Sequence, residues 1–198
     1  TRLLVISSGS VYDAEQPMPV NEYGRLAKNA MPYVLSKIQM EQQILPYKDK
    51  GVDVIIVRPF NHIGPGQSKG FLLPDLVDRA VNQQKLLVGP VSTSRDYTDV
   101  RDVVCAYRLL ATRPGNLKHT IYNVCSGKAV SRNDMISYIK HSLNAPNLPV
   151  ESDEALRRAH DPLSITGSFA RLKKETGWMP SIAIEQTVED FVTWFKGQ

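Results

Sequence analysis

The chain has 198 residues, 42% of them hydrophobic and 22% charged, which suits a soluble globular protein with one real core, or one domain and a small lobe. Its net charge of +4 comes without a run of Lys or Arg, so no nucleic-acid patch is expected, while a mild positive balance favours an anionic ligand such as a nucleotide diphosphate. No apolar stretch approaches the ~20 residues of a membrane span, no signal-like segment opens the chain, and Cys105 and Cys125 lack metal-ligand spacing and read as buried apolar residues in a reducing cytoplasm.

Leu3 to Ile6 reads as a short buried strand that ends in the small polar cluster Ser7-Ser8-Gly9-Ser10. The chain opens at Thr1 already inside this pattern, with no initiator Met and no polar leader. The expectation is that an N-terminal part is missing, and that another chain, a second copy or a lost fragment covers the edge of this strand. A helical pattern runs from about Asn29 to Lys50, with Pro32 near its start and Gly51 closing it. Val52 to Phe60 is β-branched and apolar, a second buried strand, followed by a loop over Asn61 to Gln67. Phe71 to Gln83 is helical and Leu86 to Val88 a short strand. Asp99 to Thr112 is a strong helix, with Asp99 as N-cap and Asp102 at the capping-box position. Ile121 to Val124 is a strand, Ser131 to Asp134 opens a helix, Asn144 to Thr166 is irregular, and a last helix covers Ile184 to Phe195. Strands that alternate with helices and are apolar throughout predict an α/β fold with a mostly parallel sheet covered on both faces.

The sharpest chemical signal is Tyr33 and Lys37, four residues apart on one helix face. An ammonium beside a phenol favours phenolate, so such a Tyr can exchange a proton with a ketone or alcohol oxygen near neutral pH. Taken alone, this spacing is common on exposed helix faces. Its context is two strands whose C-terminal ends carry polar clusters, Ser7 to Tyr12 and Arg58 to Gly66, where open α/β sheets bind their ligands.

These stretches resemble the extended short-chain dehydrogenase/reductases that modify nucleotide-sugars, and the likeness runs from the serine strand to Thr176-Gly177-Trp178. Arg58-Pro59-Phe60-Asn61-His62-Ile63-Gly64-Pro65-Gly66-Gln67 is the specific part. It is similar to the members that reduce GDP-4-keto-6-deoxy-mannose, with the GDP-mannose 4,6-dehydratases as relatives. The resemblance implies the C-terminal part of a Rossmann-type doubly wound sheet with a small substrate-binding lobe. Residues 1–60 and parts of 61–143 would form the sheet portion, and 61–100 with 144–198 mainly the lobe. It implies NADP or NAD as cofactor and a GDP-linked sugar as substrate. Tyr33 would be the proton donor, with Lys37 tuning it and holding the nicotinamide ribose and Ser8 bonding the ketone. Pro59 and Phe60 would lie at the cofactor. Ser10, Asn61, His62, Arg95, Arg158 and Asp161 would bind the nucleotide-sugar, Arg95 through the fork a guanidinium offers to phosphate oxygens. His62 also reads as a capped loop residue, and Arg158 as part of the charged, exposed run Glu151 to Arg158. A homodimer, or association through the exposed sheet edge, is expected.

Two departures qualify the resemblance. Ser168 stands where relatives commonly have Asp. No Gly-x-x-Gly-x-x-Gly follows a strand, so the backbone cradle for a cofactor pyrophosphate is absent from this sequence and the cofactor site is incomplete. Other readings stay open: an epimerase or dehydratase of the same fold, or an inactive remnant or sugar-nucleotide-binding module.

Overall fold

A computed structural model describes residues 2–28, 30–88, 93–152 and 164–198, with only the backbone described for Leu87 and Ser152. The elements in chain order are β1 (Arg2–Ile6), α1 (Pro32–Ile44), β2 (Asp53–Pro59), β3 (Asn61–Ile63), α2 (Leu72–Asn82), β4 (Leu86–Val88), β5 (Ser94–Asp99) and α3 (Val100–Thr112). They continue as β6 (Ile121–Val124), β7 (Ala129–Ser131), α4 (Arg132–Ser142), β8 (Val150–Ser152), β9 (Ser164–Ile165), α5 (Ala170–Thr176) and α6 (Ile184–Lys196).

The main sheet is parallel, in the order β1-β2-β6, with Leu4 opposite Ile55 and Arg58 opposite Asn123. From Val54 to Pro59 every residue of the central β2 is buried, as expected of a strand covered on both faces. Ile55 and Val57 pack with Val103, Ala106 and Leu110 of α3 and with Leu172 and Trp178. Arg58 reaches to the opposite face and meets Glu41 of α1. Among the described strands β1 pairs with β2 alone, and Leu3 and Ile6 are partly exposed on it. A second sheet, β3-β5-β7 with β9 beside β5, continues from the end of β2, and β4 pairs with β8. Helices α2, α4 and α6 bury Leu73, Leu76, Met135, Ile139, Val188 and Phe191 in a separate core.

The α/β alternation holds, and five local readings need correction. The first helix begins at Pro32, because the residue before a proline is pushed out of the α region; Pro46 then turns its end into a 3-10 turn over Leu45–Tyr47. The stretch Asn61 to Gln67 opens with β3, and Asn144 to Thr166 contains β8 and β9. Strand β5 covers Ser94 to Asp99, where the sequence offers few apolar residues. Asp99 caps α3 by accepting from the Arg101 amide, but Asp102 does not close a capping box. It is buried and accepts from the Ser181 amide and hydroxyl and the Ile182 amide at 2.7–2.9 Å, which ties the segment before α6 to α3. Ser131 and Asp134 do form the reciprocal box at the start of α4.

Candidate active site

The C-terminal end of β1 turns directly into a 3-10 turn over Gly9–Val11, capped by Ser8, whose hydroxyl accepts from the Ser10 amide at 3.1 Å. Ser8 is buried and Ser10 exposed. Helix α1 runs back over this end. Lys37, on its inner side, donates from Nζ to the Ile6 carbonyl at 2.9 Å, and the same nitrogen lies 5.9 Å from the centre of the Tyr33 ring. Tyr33 is 55% exposed, and its hydroxyl has no hydrogen-bond partner among the described residues. Ser8 and Tyr33 thus border the same strand end without a direct hydrogen bond. Ser7 completes the corner. Its amide donates to the Val57 carbonyl at 2.7 Å, while its buried hydroxyl has no partner among the described residues.

The end of β2 supplies the other wall. Pro59 and Phe60 are buried, and the Phe60 amide donates to the Val124 carbonyl at 2.9 Å. The Phe60 ring is enclosed between two glycines. A methyl group built on Gly9 would lie 2.7 Å from it, and one on Gly167 2.6 Å. Asn61 and His62 are exposed at the start of β3; the His62 Nδ1 stands 3.2 Å from the Phe60 carbonyl oxygen, a local contact that fits a residue bracing its own loop. Asn61 sits opposite Tyr97 of β5, two residues from Arg95. Arg95 is half-buried, and one of its N–H groups donates to the Ser94 carbonyl at 2.6 Å. The loops around it are tied together by buried Asp96, which accepts from the Ser126 amide and hydroxyl and from the Gly127 and Gly167 amides at 2.6–3.0 Å. Burial pushes the Asp96 carboxyl up, and these donors oppose the shift. Arg158 and Asp161 lie outside the described residues.

Beneath α1 lies a polar network that the sequence reading did not anticipate. Arg58 Nε and Nη2 donate to the two carboxylate oxygens of Glu41 at 2.9 and 2.5 Å, and Nη1 donates to the Tyr12 hydroxyl at 2.9 Å. Tyr12 donates in turn to Asn123 Oδ1 at 2.7 Å. Glu41, Arg58 and Asn123 are each no more than 3% exposed. Burial pushes the Tyr12 phenol up, against the pull of Arg58. Cys125 lies nearby, fully buried, with its thiol pushed well up by burial and by the carboxylates of Asp96 and Glu22, so it is a packing residue and not a nucleophile. Among the described residues no group of three His, Cys, Asp or Glu side chains is placed to hold a metal, and no helix is long and apolar enough to cross a membrane.

A phenol and an ammonium on one helix face and an adjoining pair of serine hydroxyls can protonate or deprotonate an oxygen on a small ligand, and an arginine such as Arg95 on β5 can hold an anionic tail. Comparison with known proteins identifies the family. The sequence profile described as the NAD dependent epimerase/dehydratase family matches residues 1–125. A GDP-6-deoxy-D-mannose reductase of Pseudomonas aeruginosa is 35% identical over 195 residues, 93% of this chain and 62% of that protein. The solved structure of RMD from Pseudomonas aeruginosa complexed with NADPH superposes with a TM-score of 0.85 at 33% identity, covering 98% of this chain and 65% of that one. The UDP-N-acetylglucosamine 4-epimerase of Methanobrevibacter ruminantium superposes at 0.89 with 23% identity, over 100% of this chain and 63% of its own, a likeness of fold. The chain therefore spans just over three fifths of the length of the curated relatives it matches.

Proposed function

Since this chain belongs to the NAD dependent epimerase/dehydratase family, extended short-chain dehydrogenase/reductases that modify nucleotide-sugars, we propose that the protein reduces the C4 ketone of a GDP-4-keto-6-deoxy-hexose with NADPH or NADH. The observation that carries the proposal is the Tyr33–Lys37 pair, with Lys37 fixed on the last carbonyl of β1 beside the Ser7–Ser8 hydroxyls.

The residues at this corner fit the nicotinamide end of such a cofactor. An ammonium has three N–H donors, and Lys37 commits one of them to Ile6, leaving two for the hydroxyls of a ribose. The Ser7 hydroxyl, without a partner among the described residues, offers a further buried polar contact, and Pro59 and Phe60 form a buried floor. Reduced nicotinamide supplies hydride when bound. Tyr33 gives its phenolic proton to the oxygen at C4, and the Lys37 ammonium stabilises the phenolate left behind. Ser8 orients the ketone. Its hydroxyl accepts from the Ser10 amide, so its proton points away from that amide and is available to the ketone oxygen. Asn61 and Ser10 bind the sugar and Arg95 pairs with the diphosphate, and the resemblance assigns Arg158 and Asp161 to the nucleotide end. His62 contributes through its loop. Residues 1–60 and parts of 61–143 serve as the catalytic sheet portion, and 61–100 with 144–198 mainly as the substrate lobe. In this reading the protein forms a homodimer or associates through the exposed sheet edge at β1.

Reduction is favoured over dehydration by Ser10. Loss of water from a 4-keto sugar needs a carboxylate as base at C5, yet Gly9 has no side chain and a serine hydroxyl is far too weak an acid to act as one unaided. Of the acids that follow along the chain, Asp13 is engaged elsewhere: it accepts from the Glu15 amide at 2.9 Å and lies 3.4 Å from Arg25. The test is steady-state reduction of GDP-4-keto-6-deoxy-mannose by the full-length native protein, with Tyr33→Phe alongside. Loss of the proton donor should lower kcat by about 10²–10⁴-fold; a Tyr33→Phe protein with undiminished turnover removes the basis of the proposal.

A further inference from the structure

Ile38 and Glu41 are the buried residues of α1, and Met31 provides no side-chain cap at its start. Among the described residues two directional contacts tie α1 to the sheet, Lys37 to the Ile6 carbonyl and Glu41 to Arg58.

The geometry points to Glu41 and Arg58 as positioning residues that set the rotation and depth of α1, and through them the placement of Tyr33 and Lys37; the inference rests on the reading of those two residues as the proton donor and its partner. Arg58 is itself held rigidly. It sits in the central strand in register with Asn123, its guanidinium lies 4.9 Å from the centre of the Tyr12 ring, and Tyr12 is bonded on to Asn123. Glu41 meets it with both oxygens, so the pair resists twist as well as separation, as a forked two-point contact does. At 3.6 residues per turn, Lys37 lies about 40° around the axis from both Glu41 and Tyr33. A rotation of ~10° would carry a phenolic oxygen roughly 8 Å from the axis through about 1.4 Å. Displacements of that order can cost about 100-fold in rate.

A buried ion pair is a weak source of stability, and apolar replacements of similar volume often fold as well or better. That separates registration from stability. The test uses the full-length native protein carrying Glu41→Leu with Arg58→Met, and separately Glu41→Asp, which keeps the charge but shortens the reach. Thermal unfolding, kcat and KM for GDP-4-keto-6-deoxy-mannose, and a crystal structure are read for each. The expected result is a melting temperature near the wild type, KM within about threefold, kcat lower by roughly 10–100-fold, and Lys37 Nζ displaced from the Ile6 carbonyl. Wild-type kcat in either folded variant overturns the inference, as does a loss of kcat that merely tracks the loss of folded protein. Tyr33→Phe, run in parallel, keeps the two claims apart. If it is fully active, the reading of Tyr33 fails. If it is inactive while the Glu41 variants turn over normally, only the positioning role fails.

Discussion

Gly9→Ala asks how closely the serine turn is fitted to the strand beside it. The backbone of Gly9 is not in the left-handed region, so the added methyl meets no conformational penalty and its cost is purely steric. It would lie 2.7, 2.8 and 2.9 Å from Cδ2, Cγ and Cε2 of Phe60, against an ordinary contact distance of about 3.5–4.0 Å. The ring must give by roughly 0.7 Å or more, and its surroundings are close: a methyl built on Gly167 would stand 2.6 Å from its Cε2 and Cζ, and the Tyr12 ring stacks on it at a 6.2 Å centroid distance. Overpacking of this kind costs about 1–3 kcal/mol, so in a chain of this size the melting temperature should fall by about 4–8 °C for a cost of ~2 kcal/mol. The damage reaches the site because Gly9 follows Ser8 and opens the turn that Ser8 caps. Circular dichroism melts of Gly9→Ala, Phe60→Leu and the double variant form a cycle in which the smaller Leu should recover at least half of the alanine's cost. A melting temperature within 1 °C of the wild type, or strictly additive losses in the cycle, would refute the account of this corner.

Further outcomes follow from the same contacts. Asp102→Ala leaves the Ser181 and Ile182 amides without their acceptor and should cost about 3 kcal/mol in urea unfolding; an unchanged midpoint would show that the segment before α6 is held by other contacts. Burial by itself would raise the Asp99 carboxyl, but the Arg101 side chain and amide and the Thr187 hydroxyl hold it below the ordinary carboxylate range. A carboxylate depressed in the folded state contributes stability that is complete above about pH 4 and is lost as pH falls further. Melting temperature measured from pH 6 to pH 2 should therefore decline less steeply for Asp99→Asn than for the wild type at the acid end, and parallel curves would contradict that sign. Incubated with GDP-mannose and oxidised cofactor, the protein should form no 4-keto-6-deoxy product, and turnover at an enzymatic rate would overturn the argument from Gly9 and Ser10.

Much of the sheet was legible because its strands bury apolar side chains on both faces: Val54-Ile55-Ile56-Val57 can hardly be anything but a covered strand. Helices α3 and α6 were equally plain from their apolar stripes. Strand β5 was hidden by the opposite circumstance. Asp96, Thr98 and Asp99 are buried, and the two carboxylates are satisfied by loop amides, hydroxyls and Arg101, so the segment lacks the apolar alternation that marks a strand. Strands β3, β7 and β9 are two or three residues long, too short for any period to show. In the site, the Tyr33–Lys37 spacing was readable because helix geometry alone brings i and i+4 together. Glu41 was not, since a glutamate on a helix normally faces water; what buries it is Arg58, seventeen residues away on another element. Its position four residues after Lys37, in line with the pair, was the one available signal.

The central claim is hydride delivery to C4 with the proton from Tyr33. Supplying the full-length native protein with GDP-4-keto-6-deoxy-mannose and NADPH deuterated at the transferable position tests it directly by NMR of the sugar. The account predicts deuterium at C4 of a 4-hydroxy product, formed in step with cofactor oxidation and largely lost in Tyr33→Phe. Cofactor oxidation without deuterium at C4, or a labelled product formed equally fast by the phenylalanine variant, would contradict it.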